Sequence, residues 1–247
     1  MENTSQLDKE VFEWHNNVRT NPTCLVPHLE DMLTKFDGMI LKREGGINLR
    51  TNEGAAVVQE LIDFLKNAQP IKALTWDDRI ARAASDHTND IGPKGITGHD
   101  STDGTSMSGR MERYGQWSIT CGENLSFGQT TGMDVVCQLL IDDGVSSRGH
   151  RTNIFNKVFG VMGSNSGEHK QYKSMCCIDY AGGFAAAGEQ SNAQADLDTF
   201  MKEKVEIDMP EGARGWSMST SMQISGSTAT KTVTYTVNMA DGSTQEI

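Results

Sequence analysis

CGENLSFG (residues 121–128) and RGHRTNIF (residues 148–155) are the two stretches on which the reading of the fold turns. The first lies within ITCGENLSFG, which has the character of a strand running into a glycine bend. The second reads as a loop and a short helix. Between them, residues 132–143 place Val135, Val136, Leu139 and Leu140 on one helical stripe. The polar residues that could do chemistry sit where these elements end: Glu123, the Asp142–Asp143 pair and His150, with His99 further upstream in GHDSTDG. Glycine lies beside most of them, and glycine lets the backbone approach a site closely. Two histidines and two or three acids, if they converge, make a general acid/base or metal site. No local rule forces that convergence. Taken singly, each reads more simply as a hydrogen-bonded loop residue than as a ligand.

Working outward, residues 8–20 suit a helix with Val11, Trp14, His15 and Val18 on one face, and Pro22 and Pro27 are expected to close that segment. Residues 28–50 lack a period, and Gly45–Gly46 marks a loop. A second helix, with Asn52 as its expected cap, carries Val57, Val58, Leu61, Ile62 and Leu65 and ends by Pro70. A third starts near Asp77, lines up Ile80, Ala83, Ala84, His87 and Ile91, and stops at Gly92–Pro93. Ser106 caps a short helix running to Tyr114, with Gly115 after it. GENLSFG, VFGVMG (158–163) and SMCCIDYA (174–181) supply three strands. Helix stripes alternating with short β-rich runs predict an α+β fold, its helices arranged around one antiparallel sheet. After Phe184 the composition changes. AAAGEQSNAQ is a linker-like stretch, a short amphipathic segment follows to about Lys204, and WSMSTSMQI and TKTVTYTVNM alternate like a hairpin. A lone hairpin is marginal in water, so this one is expected to pack on the main domain or on a partner.

Composition narrows the function classes. With 33 acidic against 22 basic residues the net charge is −11, which repels phosphate backbones and argues against nucleic acid. No stretch is long and apolar enough to span a bilayer, and the N-terminal residues lack the basic start and apolar run of a secretory signal. The five cysteines, Cys24, Cys121, Cys137, Cys176 and Cys177, are odd in number and not spaced as a disulfide scaffold or a CxxC metal site. Cys176 and Cys177 on one strand point to opposite faces. These features predict an intracellular, cytoplasmic protein without disulfides.

The same residues carry a family likeness. HNNVRTNP (15–22), ALTWDDRIARAASDH (73–87), GHDSTDG followed by an arginine, GENLSFG and RGHRTNIFN occur in the order seen in the CAP superfamily. That group of SCP domains spans cysteine-rich secretory, antigen 5 and pathogenesis-related proteins, and residues 8–184 resemble it. The resemblance implies an α-β-α sandwich. It divides the chain into a CAP/SCP domain at 1–187, with an inserted helical segment at about 27–70, and a remainder at 188–247 made of linker, short helix and β-hairpin. The family's cleft tetrad is two histidines and two glutamates. By motif, His99, Glu123 and His150 match three of them. Asp142, with Asp143 beside it, stands where the second glutamate is usual, and this shorter carboxylate departs from the pattern. Two readings of the tetrad follow: it orders the cleft by hydrogen bonds, or His99 and His150 hold a divalent ion such as Zn²⁺ with the acids acting through water; the favoured expectation is an ordered cleft with optional, weak metal binding and no required cofactor.

The remaining candidates have plainer readings. His15 reads as a semi-buried, satisfied side chain, and Asn16 and Arg19 as ties from the first helix to nearby loops. His87 reads as core, His28 and His169 as surface. Arg148 and Arg151, bracketing His150, read as partners of Asp142 or Asp143. Ser126 and Cys121 flank GEN without any GxSxG motif, so strand packing accounts for them. Three functions stay open. The first is a binding or scaffold module with protein partners, in a larger assembly such as cytoskeleton or cilium. The second is a metal-dependent hydrolase. The third is lipid or sterol binding.

Overall fold

The structure is a computed structural model that describes residues 4–43 and 48–186 and the backbone of three strands within 213–246. Helix α1 (Gln6–Thr20) begins at Ser5, whose hydroxyl accepts from the Asp8 amide, and it buries Val11, His15 and Val18. Pro22 opens a single 3₁₀ turn. Pro27 then lies in the first turn of α2 (Val26–Leu33), where a missing N–H costs nothing, so it opens a helix instead of closing one. The stretch expected to be irregular holds three two-residue strands, β1 (Phe36–Asp37), β2 (Ile40–Leu41) and β3 (Leu49–Arg50), in an antiparallel meander. Helix α3 (Ala55–Asn67) follows, and its cap position is Gly54 (φ +67°), not Asn52. The backbone N–H groups of Asn52 and Glu53 are bound instead by the Asp143 carboxylate, so the chain is still turning there.

Strand β4 (Thr75–Trp76) leads into α4 (Asp78–Ile91), capped by Asp77, and α5 (Met107–Glu112) is capped by Ser106. Then come β5 (Gln116–Phe127), α6 (Gly132–Ile141), α7 (Gly149–Ile154), β6 (Val161–His169) and β7 (Lys173–Ala185). In the sheet β7 lies between β5 and β6, antiparallel to both, which is the trio expected from the sequence. The sheet is not purely antiparallel, because β4 joins β6 in parallel. Strands β8 (Ala213–Ser225), β9 (Thr228–Met239) and β10 (Thr244–Glu246) form the C-terminal hairpin and a third short strand. This unit meets the outer edge of β5 through one parallel bridge, Ile119 with Gly215. The linker and amphipathic segment expected after residue 187 lie outside the described residues.

Alternation along β7 divides the interior in two. Cys176, Ile178 and Tyr180 enter the larger core, with Val11, Val18, Leu61, Val136 and Leu140 of α1, α3 and α6. Cys177 and Ala181 face the other way, toward Ile80, Ala83 and Ala84 of α4 and Met111 of α5. Each fully buried leucine or isoleucine contributes about 1.5–3 kcal/mol. The result is an α-β-α sandwich. Asn16 exchanges two hydrogen bonds with the backbone of Leu74, at 2.8 and 3.1 Å. Arg19 donates to the carbonyls of Lys72, Ile154, Asn156 and Phe159, and so ties α1 to the loops on either side. No described helix is long and apolar enough to cross a membrane.

Candidate functional site

Four of the five expected site residues form two histidine–carboxylate pairs, one from each helical layer, with β5 between them. In the first pair His99, in the loop after α4, places Nδ1 2.7 Å from Glu123 Oε1. Glu123 is 6% exposed and shares a layer with Arg110 of α5, which is wholly buried and binds its other oxygen. The Cys177 thiol donates to the same oxygen at 3.2 Å, and Asp179 lies directly across the ladder from Glu123. Burial pushes the Asp179 carboxyl well above its ordinary range, reinforced by the adjacent Glu123 charge. Burial also pushes Glu123 upward, but the His99 hydrogen bond and the Arg110 charge outweigh it, so Glu123 is the ionised member of the two. The hydrogen bond to Glu123 raises His99 above its usual value. Within this layer Arg110 also donates to the His99 carbonyl, which fixes the loop that carries the ring.

The second pair is built differently. Asp142 ends α6 in the left-handed conformation (φ +57°), which aspartate tolerates better than most residues. Its side chain, 1% exposed, takes His150 Nδ1 at 2.6 Å and the His150 backbone N–H at 2.9 Å. Behind His150 stands a neutral chain of hydrogen bonds. Asn124 donates to the His150 carbonyl and to the Tyr180 hydroxyl, and Tyr180 lies 2.7 Å from His15 Nε2. His15 Nδ1 lies 2.7 Å from the Val11 carbonyl and must donate to it, so Nε2 accepts from Tyr180. His15 is fully buried, not semi-buried, and burial lowers it to about 4. Asn153 of α7 donates to the Glu123 carbonyl and to Asn124 Oδ1, so neighbouring residues of β5 hold both pairs.

Asp143 does not join the cleft. Its carboxylate accepts from the backbone N–H groups of Asn52 and Glu53, both at 2.8 Å, and so pins the turn that leads into α3. Glu53 answers by accepting from the Gly144 N–H at 2.7 Å. Arg148 and Arg151 form their ion pairs with acids in and just before α3 and not with the aspartates: Arg148 with Glu53 and Glu60, Arg151 with Glu60. Arg148 also donates to the carbonyls of Asp142 and Val145, threading the loop that carries His150. His169, expected at the surface, is 2% exposed. It turns inward at the end of β6, where Nδ1 accepts from the Gln171 and Tyr172 amides of the β6–β7 turn. His28 is half-buried, not surface. His87 is core, as expected, with Nε2 on the Gly98 carbonyl.

Each site histidine commits Nδ1 to a carboxylate, leaving Nε2 as the open nitrogen, and the His99 and His150 side chains are 58% and 28% exposed. A carboxylate behind each imidazole is the usual support for a ligand ring, so each histidine is separately oriented with Nε2 outward. Glu123 and Asp142 spend their oxygens on the rings, on Arg110 and on the His150 backbone N–H. Among the described residues, no three of the four bring ligand atoms within 4.8 Å of one another, whereas Glu123, Cys177 and Asp179 do. There Arg110 already supplies the positive charge that an ion would bring. Nucleophiles are poor. All five cysteines are free thiols, burial pushes Cys121 up to about 12 and Cys177 well above its ordinary value, and Ser126 donates its hydroxyl to Gln138.

Arg110, Asn124 and His15 stand inside the quoted motifs, but no local pattern marks them, Asp179 or Tyr180 as parts of the site. The available signal is Asp179 itself, an acid inside the otherwise apolar SMCCIDYA strand.

The model of the cysteine-rich secretory protein family (CAP) matches residues 12–180. Uncharacterized protein YkwD of Bacillus subtilis (strain 168) is 31% identical over 106 residues, which are 43% of this chain and 39% of that protein. The chain therefore matches well under half the length of that relative. Among solved structures, an outer surface protein from Borrelia burgdorferi is similar at 19% identity and a TM-score of 0.40, over 50% of this chain and 86% of that one. An extracellular protein containing a SCP domain from Bacillus anthracis str. Ames is similar at 21% identity and a TM-score of 0.37, over 50% of this chain and 39% of that one.

Proposed function

The chain belongs to the cysteine-rich secretory protein (CAP) family, and on that premise we propose that it acts as a binding module and not as a hydrolase. Its cleft meets a protein partner across the two histidine–carboxylate pairs. The observation that carries this reading is that both imidazoles are locked through Nδ1 on buried carboxylates, while the Cys177 thiol beside Glu123 is pushed well above its ordinary value by burial and no activated nucleophile stands near the rings among the described residues. Locked rings present fixed polar groups at little entropic cost, which suits recognition. Hydrolysis needs a nucleophile or a firmly held metal, and two protein nitrogens hold an ion weakly. His99 and His150 would be the residues that hold Zn²⁺, with Glu123 and Asp142 orienting the rings. A bound zinc would add a Lewis-acid centre to the cleft.

The setting we propose is intracellular, within a larger assembly. Five free thiols support it, since they suit a reducing compartment. The test has two arms. Zn²⁺ is titrated calorimetrically into the wild type and into His99→Ala/His150→Ala, and both proteins are assayed on broad peptide and ester substrates. Weak zinc binding lost in the double variant, without turnover in either, is the expected result. Zinc-dependent hydrolysis that disappears in the double variant would overturn the binding-module reading. Co-purification from the native source then separates an assembly subunit from a free protein.

A further inference from the structure

Ile96 and Tyr172 are large apolar side chains left 42% and 43% exposed, and both flank one buried histidine, His169. His169 Nδ1 accepts from the Gln171 and Tyr172 amides, so Nε2 carries the proton and donates to the Ile96 carbonyl at 3.0 Å. The His169 ring centroid lies 5.2 Å from those of Phe127 and Tyr172, and the Phe127 and Tyr172 centroids are 5.5 Å apart. The Lys170 N–H donates to the Gly92 carbonyl, which joins the β6–β7 turn to the end of α4. Single exposed apolar residues are ordinary on a protein surface. Here two of them, from separate segments, are fixed against a shared ring, which is a preformed anchor site.

Charge sets this platform apart from the rest of the chain. Residues 91–98 and 169–174 hold three lysines and no acid, in a chain of net charge −11. Lys94 is tied to Asp90. Lys170 and Lys173 are exposed, and neither side chain has a hydrogen bond or ion pair among the described residues. The platform is also continuous with the cleft. Phe127 follows Glu123 and Leu125 on one face of β5, which puts it about 13 Å along the strand from the carboxylate that orients His99. Ile96 precedes His99 by three residues in the same loop.

We propose that Ile96, Tyr172, Lys170 and Lys173 form a docking surface for an acidic peptide segment of a partner protein. One apolar side chain of that segment seats between Ile96 and Tyr172, its carboxylates meet the lysines, and its continuation runs toward His99. Charge complementarity selects this occupant. A second copy of the chain carries the same acidic surplus and is repelled, and two lysines are too few to hold so acidic a chain on an anionic lipid surface. The inference rests on the binding-module reading and names the chemistry of the partner; it does not need Zn²⁺.

The test selects peptides from a displayed random library on the full chain, each about twelve residues long so that it reaches from the platform to His99. Enriched sequences should combine several acids with a leucine or an aromatic residue. The most enriched peptide is then synthesised and its binding followed by fluorescence anisotropy. Lys170→Gln/Lys173→Gln replaces exposed side chains, so thermal unfolding should not change, while association slows, affinity falls about tenfold and the salt dependence flattens. Ile96→Ala/Tyr172→Ala should weaken binding about tenfold or more, through faster dissociation. The lysine variant decides the question if the apolar variant does not fold. Enrichment without an acidic bias, no enrichment, or unchanged affinity in the lysine variant would each overturn the proposal. Sedimentation with phosphatidylserine vesicles that needs the lysines, without any peptide enrichment, would overturn it by assigning them to a membrane. A peptide that ignores both variants but is lost in His99→Ala/His150→Ala would overturn this surface and leave the binding module standing. Cleavage of the bound peptide would overturn the binding-module reading instead, with the docking surface still judged by the lysine variant.

Discussion

The His99 and His150 halves of the cleft have the same contact, an imidazole Nδ1 on a buried carboxylate, yet different supports. Glu123 draws on charge: Arg110, Cys177 and Asp179 surround it in the α4–α5 layer. Asp142 draws on backbone N–H groups and on a loop clamped to the start of α3, and the chain behind His150 is neutral. A ring can thus be oriented either by a compensated charge cluster or by local backbone geometry. The two solutions should respond differently to mutation and to pH.

Arg110→Ala strikes the charged half hardest. It leaves Glu123 ionised and uncompensated in the core, and removing one partner of a buried pair costs about 3–5 kcal/mol. Urea unfolding should show that loss. Arg148→Ala, in the other half, removes pairs with half-exposed acids and should shift the midpoint far less. Equal losses would mean that the supports do not differ as described.

Acid should weaken the neutral half. His15 is held near 4 against an unfolded value of 6.5, a difference worth about 3 kcal/mol. The folded value is depressed for a base, so the unfolded chain takes up the proton first. Stability from this group is complete above about pH 6.5 and is lost as pH falls toward 4. Unfolding measured at stepped pH should slope more steeply in wild type than in His15→Gln across that window. Parallel slopes would show that His15 is not the group responsible.

The first pair is more legible in sequence than the second, for physical reasons. His99 and His150 stand beside glycines, in the loop after α4 and in the first turn of α7, whereas Glu123 lies inside β5 with Gly122 before it, and the stripes of α1, α3, α4 and α6 have the period that burial imposes. Asp142 matches the family position, but its neighbour Asp143 gives no sign of reaching back some ninety residues to the amides of Asn52 and Glu53, because a long-range cap has no local signature. Strands of two residues, as in β1–β3, are too short to show alternation. Sequence proximity pairs Arg148 and Arg151 with the nearest aspartates, whereas folding brings Glu53 and Glu60 closer. His169 is polar and so expected at the surface, yet two turn amides need an acceptor.

Asp143→Ala tests whether the turn before α3 supports the His150 half. It removes the acceptor of two backbone N–H groups, and losing a capping carboxylate costs about 0.5–2 kcal/mol. Hydrogen exchange should accelerate at Asn52 and Glu53, with a smaller increase at the His150 amide. The His99 loop should not change. Acceleration on both sides would mean that the halves are one cooperative unit and the distinction does not hold.

The smallest effect should have the opposite pH sign and belong to His99. The Glu123 hydrogen bond raises its folded pKa, so its contribution is fully present below the unfolded value near 6.5 and is lost as pH rises through the higher folded value. The side chain is 58% exposed, so solvent screens the pair and the effect on stability is slight. It is best read on the residue itself. In metal-free protein, the His99 ring resonances should titrate above the usual histidine value, and Glu123→Gln, which keeps the shape but removes the charge, should bring the midpoint down. His15, on the far side of β5, should stay neutral throughout that titration. A His99 midpoint unmoved by Glu123→Gln would sever the ring from its carboxylate and leave the His150 pair as the sole oriented imidazole of the cleft.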